Sequence, residues 1–162
     1  MITDALLDHK WLSPAALALL VVLGPFAGSW LATRRRLTSW LLVLSLVPVA
    51  VTTLVPVDRE LYELCAVQWS FPTPARVELM ANLVLFVAPA LLLTVLTRRP
   101  LLAGLAGLGL SGAIELVQAL VPAIGRSCDT TDWTSNGLGA VIGAALGWGA
   151  LWLARRTSPV PS

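Results

Sequence analysis

Five apolar runs, each close to the length of a bilayer crossing, leave this chain few ways to fold. They lie at about 12–32, 40–57, 78–96, 101–124 and 133–154, with short polar stretches between them. A helix rising 1.5 Å per residue crosses the roughly 30 Å hydrocarbon layer in about 20 residues. Lipid offers no hydrogen bonds, so segments of this kind must satisfy their own backbone groups as helices. Composition excludes the soluble alternative. The chain is 57% hydrophobic and 12% charged, and a soluble domain carries roughly twice that charged share. The expected fold class is all-α: a polytopic membrane bundle of about five transmembrane helices. It forms a single domain over 1–162, with the informative motifs at about 40–154.

Arginine placement gives an expected orientation. Arg34, Arg35, Arg36, Arg98, Arg99, Arg155 and Arg156 follow the first, third and fifth runs, whereas Lys10, Arg59, Arg76 and Arg126 on the other side are diluted by acids. The positive-inside rule places the arginine-rich side in the cytoplasm. The N-terminus, the long loop at 58–77 and the loop at 125–132 are then outside, and the C-terminus is cytoplasmic. Asp4 and Asp8 outweigh Lys10 before the first run, so it reads as a retained helix and not a secretory leader. The tail at 157–162 reads as disordered. Trp11, Trp40, Trp69, Trp133 and Trp152 fall near segment ends, as interfacial aromatics do. The net charge of +2, split into short blocks, argues against a nucleic-acid partner. Membrane lipids are the expected surroundings.

The second half carries the polar signal. In the fourth run Gly104, Gly107, Ser111, Glu115, Gln118 and Pro122 recur every three or four residues, on one helical face. The fifth run has Asp132, Asn136, Gly139, Gly143, Gly147 and Ala150. Such small-residue stripes let backbones approach in lipid, so the last two helices are expected to form a tight antiparallel hairpin. Glu115 would lie about 14 Å below the end of its helix, near mid-membrane. An ionisable residue at that depth is a functional candidate by default. Glu78, Asn82, Glu115, Gln118, Arg126, Asp129, Asp132 and Asn136 would together line a funnel open to the outer face. Each also has a structural reading: Asp132 as a helix N-cap, Arg126 as an interfacial anchor, Asn82 and Asn136 as interhelical hydrogen-bond partners, and Glu115 as a protonated residue bonded to backbone.

Cys65 and Cys128 are separated by two helices and share a side, which the arginine count makes external, where disulfides persist. A bridge would tie the long loop to the loop bearing Arg126 and Asp129, contributing about 4 kcal/mol in the chain-entropy model. Two unpaired thiols are the alternative. Two cysteines with His9 in the N-terminal segment fall short of a tetrahedral metal site, so no metal or cofactor is expected.

The residues Ser111-Gly112-Ala113-Ile114-Glu115-Leu116-Val117-Gln118, then Gly125-Arg126-Ser127-Cys128-Asp129, then Asp132 and Asn136-Gly137-Leu138-Gly139-Ala140, resemble the VanZ-like family. So does the stretch from Glu78 through Asn82 to Leu85-Phe86-Val87-Ala88-Pro89, although Ala90 stands where relatives often place glycine. The resemblance covers the second to fifth runs. It implies a multi-pass protein of a bacterial plasma membrane, in a family named for a protein associated with low-level teicoplanin resistance. Its polar positions here are Asn82, Glu115, Gln118, Arg126, Asp129, Asp132 and Asn136, and it transfers no catalytic role.

Three functions compete. One is a binding protein whose funnel holds an amphipathic cell-envelope lipid, a lipid-linked wall precursor or a lipoglycopeptide. The second is a membrane enzyme on such a lipid, with Glu115 or Asp129 as base and Arg126 on a phosphate, or with the acids holding a divalent ion. No serine or histidine beside a base supports it, so the balance leans away from an enzyme. The third is a small lipid or ion transporter using Glu115, although no inverted repeat is visible. The bridge is directly testable. In intact cells, a thiol reagent should label Cys65 and Cys128 only after reduction, and labelling of both without reductant would exclude the disulfide.

Overall fold

The computed structural model describes residues 9–58 and 63–157. The acids at 4 and 8, Arg59 and the tail beyond 157 lie outside the described residues. Among the described residues, five α-helices form the fold: α1 (Leu12–Leu31), α2 (Arg35–Leu54), α3 (Val77–Thr97), α4 (Pro100–Leu120) and α5 (Thr130–Thr157). All five are long and apolar enough to cross a membrane. A short 3₁₀ turn (Pro122–Ile124) and a two-residue parallel ladder, β1 (Cys65–Ala66) with β2 (Cys128–Asp129), complete the described structure.

Several boundaries differ from expectation, among them the end of α2 at Leu54 instead of 57 and the end of α5 at Thr157 instead of 154. α2 begins at Arg35 instead of position 40, because Thr38 locks the turn: its buried hydroxyl lies 3.0 Å from the Leu31 carbonyl and 3.1 Å from that of Arg34. Long arginine side chains extend from a helix end toward the interface, so charge at 35–36 does not mark the end of helix. α4 stops at Leu120 instead of 124. Pro122 pushes the residue before it out of the helical region, and Val121 has φ −124° and ψ 74°. α5 begins at Thr130, three residues early by the sequence reading of 133. Pro25, Pro48 and Pro89 lie inside α1, α2 and α3, each of which continues through its proline.

The centre of the bundle is the pair α3 and α5. A Cβ added at Gly139 would collide with the Leu83 carbonyl, one at Gly143 with that of Val87, and one at Gly147 with Thr94 and the Leu91 carbonyl. Both helices advance four residues per contact in the same direction, so they are parallel. The glycine stripe therefore seats on α3 and not on α4, where the sequence reading placed it, while the antiparallel hairpin of α4 and α5 is itself present. An adjacent face of α5 meets α4 in antiparallel fashion: Ala140 fills the space at Gly107, Ala144 approaches Gly104, and Leu108 fits at Gly137. The fifth helix thus has two small-residue faces, and periodicity alone does not say which neighbour takes which.

α1 packs in the groove between the other two odd-numbered helices. Gly28 lies against Ala150, Leu91 and Val95, and Gly24 against Leu91. Leu31, Leu91, Leu92, Val95 and Ala150 form one buried cluster, with Leu41 and Leu42 of α2 packed against it. A second cluster joins Val49, Phe86 and Ile114 from α2, α3 and α4. The outward faces of α1, α2 and α4 expose large apolar residues such as Leu19, Phe26, Leu44 and Leu105, as lipid contact requires. Since α1, α3 and α5 run the same way, Arg34–Arg36, Arg98–Arg99 and Arg155–Arg156 gather at one end of the bundle, and β1 and β2 lie at the other.

Replacing Gly143 by valine should destabilise the bundle by about 1–3 kcal/mol, because the Val87 backbone cannot yield. Gly149, where an added Cβ meets nothing within 4 Å, should accept alanine without loss. Thermal unfolding of the two purified variants in detergent checks this, and equal midpoints would reject the close α3–α5 packing.

Candidate functional site

The end of the bundle opposite the arginines is built around a covalent clamp. Cys65 and Cys128 form a disulfide with Cα atoms 4.5 Å apart, and they face each other in the β1–β2 ladder. The Cys128 N–H donates to the Leu64 carbonyl at 3.0 Å. Continuing that parallel register brings Gln68 to the start of α5. Its backbone N–H donates to Thr130 Oγ1 at 2.9 Å, its carbonyl accepts from the Thr130 and Thr131 hydroxyls, and its side-chain amide donates to Asp129 Oδ2 at 2.6 Å. Gln68 is absent from the sequence-derived candidates. The signal for it was the combination of the bridge with a parallel register, which no single motif carries.

Asp129 precedes α5 directly, and its Oδ1 accepts the Thr131 N–H at 2.7 Å. It is therefore the N-cap. Asp132, for which capping was one sequence reading, sits inside the first turn instead, because the helix starts earlier than expected. The Asp132 carboxylate is hydrogen-bonded by the Asn82 side chain and lies within electrostatic reach of Asp129, Glu78 and Arg126. Parallel packing explains the company: it sets the N-termini of α3 and α5 side by side, and acids are favoured at the positive ends of helix dipoles. Glu78 lies in the first turn of α3 and Asp132 in that of α5.

Glu115 reaches the same cluster from α4. Its Oε2 accepts the backbone N–H of Asp129 at 2.7 Å, and its carboxylate feels those of Asp132 and Asp129. With α4 ending at Leu120, Glu115 is only about 7.5 Å from the helix end, closer to it than the sequence reading placed it. The half-buried Arg126 projects from the loop between α4 and α5.

Two expected lining residues are engaged elsewhere. Gln118 is buried and its amide donates to the Thr53 carbonyl of α2 at 3.0 Å, near the Val57 N–H to Ile124 carbonyl bond. Asn136 is 2% exposed and donates to Ser111 Oγ of α4 at 3.0 Å, while its Oδ1 is buried with no hydrogen-bond partner. Gln118 and Asn136 are thus interhelical ties, to α2 and to α4 respectively. Asn82, Glu115, Arg126, Asp129 and Asp132 are brought together, with Glu78, exposed, at their edge.

Chemically, this end offers one guanidinium among several carboxylates and an amide. Among the described residues, no three of His, Cys, Asp and Glu are placed to hold a metal ion. An apolar concavity of about 240 Å³ opens between α4 and α5, walled by Trp69, Leu108, Trp133, Leu138 and Val141. Trp69 follows Gln68 and Trp133 follows Asp132, so apolar walls begin where the polar cluster ends. The Trp133 indole N–H donates to the Leu108 carbonyl at 3.3 Å.

Among known proteins, the family model described as VanZ/LLP1 matches residues 11–153, nearly the whole chain. No curated protein and no solved structure matches it.

Glu115→Leu should cost about 1–3 kcal/mol of stability, because it strands the buried N–H at the start of α5. Glu115→Gln keeps an acceptor and should cost less. Amide hydrogen exchange at Asp129 and Cys128 distinguishes them: faster exchange in the leucine variant alone is expected, and no difference between the two would remove the Glu115–Asp129 bond.

Proposed function

The chain belongs to the VanZ/LLP1 family, and from that premise we propose that its disulfide-clamped end receives the polar head of an amphipathic cell-envelope molecule. The carrying observation is the convergence of Asn82, Glu115, Arg126, Asp129 and Asp132 from α3, α4, the α4–α5 loop and α5 beneath one covalently tethered loop. A guanidinium recognises phosphate or carboxylate bidentately. The surrounding carboxylates outnumber it and complement an amine. A head bearing both charges on a lipid anchor satisfies both, as a lipid-linked wall precursor or a lipid-bearing glycopeptide of the teicoplanin kind does. The concavity between α4 and α5 supplies an apolar wall for the anchor, reached sideways from the bilayer.

Seven arginines at the far end support a cytoplasmic placement of that end under the positive-inside rule. The polar end then faces the extracytoplasmic side of a bacterial plasma membrane, where such molecules are displayed. The reading is of a binder, and capture of the ligand gives a direct chemical basis for a part in glycopeptide resistance.

Native mass spectrometry of the purified protein with a lipid-linked wall precursor, and separately with teicoplanin, tests it. Arg126→Ala should lower retention of the bound molecule roughly ten-fold or more, the range of a lost charged hydrogen bond. Equal retention by wild type and variant would overturn the proposal.

A further inference from the structure

The turn joining α3 to α4 carries a second concavity, at the arginine end and remote from the disulfide. Its volume is about 800 Å³, and Arg98, Arg99, Leu101, Leu102, Leu105 and Ala106 line it. It is an open depression on the outward side, lined by this turn and the first two turns of α4 alone. Leu101 is 76% exposed and Leu105 59%, because α4 turns its Ala103 and Gly104 face inward and this one outward. Arg98 closes α3 in the left-handed conformation, φ 59°, which glycine would adopt without the steric penalty. The chain thereby places two guanidinium-bearing residues in succession just before the apolar lining.

Those two arginines differ from Arg34 and Arg156, and share their lack of a side-chain or ring contact with Arg35, Arg36 and Arg155; what sets them apart is the apolar lining beside them. Arg34 donates to the Trp30 carbonyl at 2.7 Å and stacks on the Trp30 ring, and Arg156 stacks on Trp152. Among the described residues, the Arg98 and Arg99 side chains have no hydrogen-bond, ion-pair or ring partner. Guanidinium groups remain charged at any physiological pH, and a pair of them suits a phosphate. A phosphate above, leucines below and bilayer alongside describe one occupant.

We propose that Arg98, Arg99 and the apolar wall of Leu101, Leu102 and Leu105 form a binding site for one anionic phospholipid, its phosphate on the arginines and an acyl chain along α4. The site is independent of the ligand proposed for the opposite end. Charge sets the preference for anionic over zwitterionic lipid, and the pairing of two adjacent guanidiniums with an apolar wall distinguishes this lipid from the annular lipids around it.

The experiment reconstitutes the full-length protein in nanodiscs of mixed phosphatidylglycerol and phosphatidylcholine and counts lipids retained on release into native mass spectrometry. Wild type should retain one phosphatidylglycerol in preference to phosphatidylcholine. Arg98→Gln with Arg99→Gln should lower that retention by about ten-fold or more. Arg155→Gln with Arg156→Gln makes the same charge change at the same end and should lower it less than about two-fold. Ala106→Trp keeps every arginine but obstructs the middle of the apolar wall, and should also lower retention of the lipid. Equal loss in the two arginine pairs would reduce the effect to general surface charge and overturn the site. Unchanged retention in Ala106→Trp would overturn it as well.

Discussion

The seating of α5 glycines on α3 carbonyls is the contact on which the rest of this structure depends. In lipid there is no hydrophobic force drawing one apolar helix to another, so association rests on close packing and on hydrogen bonds. Gly139, Gly143 and Gly147 remove the side chains that would hold the two backbones apart. Their spacing of four fixes both the register and the parallel sense. The groove beside this pair is where α1 lies, with Gly24 and Gly28 repeating the same device. α2 and α4 then close the outside, leaving their leucines and valines to the bilayer.

The polar end follows from that register. Parallel α3 and α5 bring two positive helix termini together, and the chain places Glu78, Asp129 and Asp132 there. Glu115 adds a fourth carboxylate from α4 by accepting the first backbone donor ahead of α5. Such a set of acids is tolerable because three of the four share in the available donors, Asn82 to Asp132, Gln68 and the Thr131 N–H to Asp129, and the Asp129 N–H to Glu115, while Glu78 is exposed. The disulfide keeps Gln68 within reach, so the covalent bond acts on the cluster through the residue three positions beyond it.

The two ends of the molecule solve opposite electrostatic problems. At the disulfide end, acids are held by helix termini and backbone donors inside the fold. At the other end, arginines sit on the outside, two of them stacked on tryptophans and two of them above an apolar concavity. An amphipathic partner with an anionic head suits the second arrangement, and one that also carries an amine suits the first.

The sequence alone determined five spans, the side shared by the two cysteines and the polar residues that gather near them. Hydropathy over twenty residues needs no knowledge of neighbours, and an even number of crossings puts Cys65 and Cys128 on the same side whatever the packing. Tertiary structure decided which helix receives the glycine stripe, since a period of four identifies a close-packed face and leaves its partner open among apolar neighbours. It also decided how far Glu115 lies from the end of α4, because Pro122 ends that helix earlier than hydropathy does. It assigned the cap to Asp129, turned Gln118 toward Thr53 and brought in Gln68. Hydrogen bonds of that kind join residues far apart in the chain, and only the packed backbone brings their donors and acceptors within 3 Å of each other.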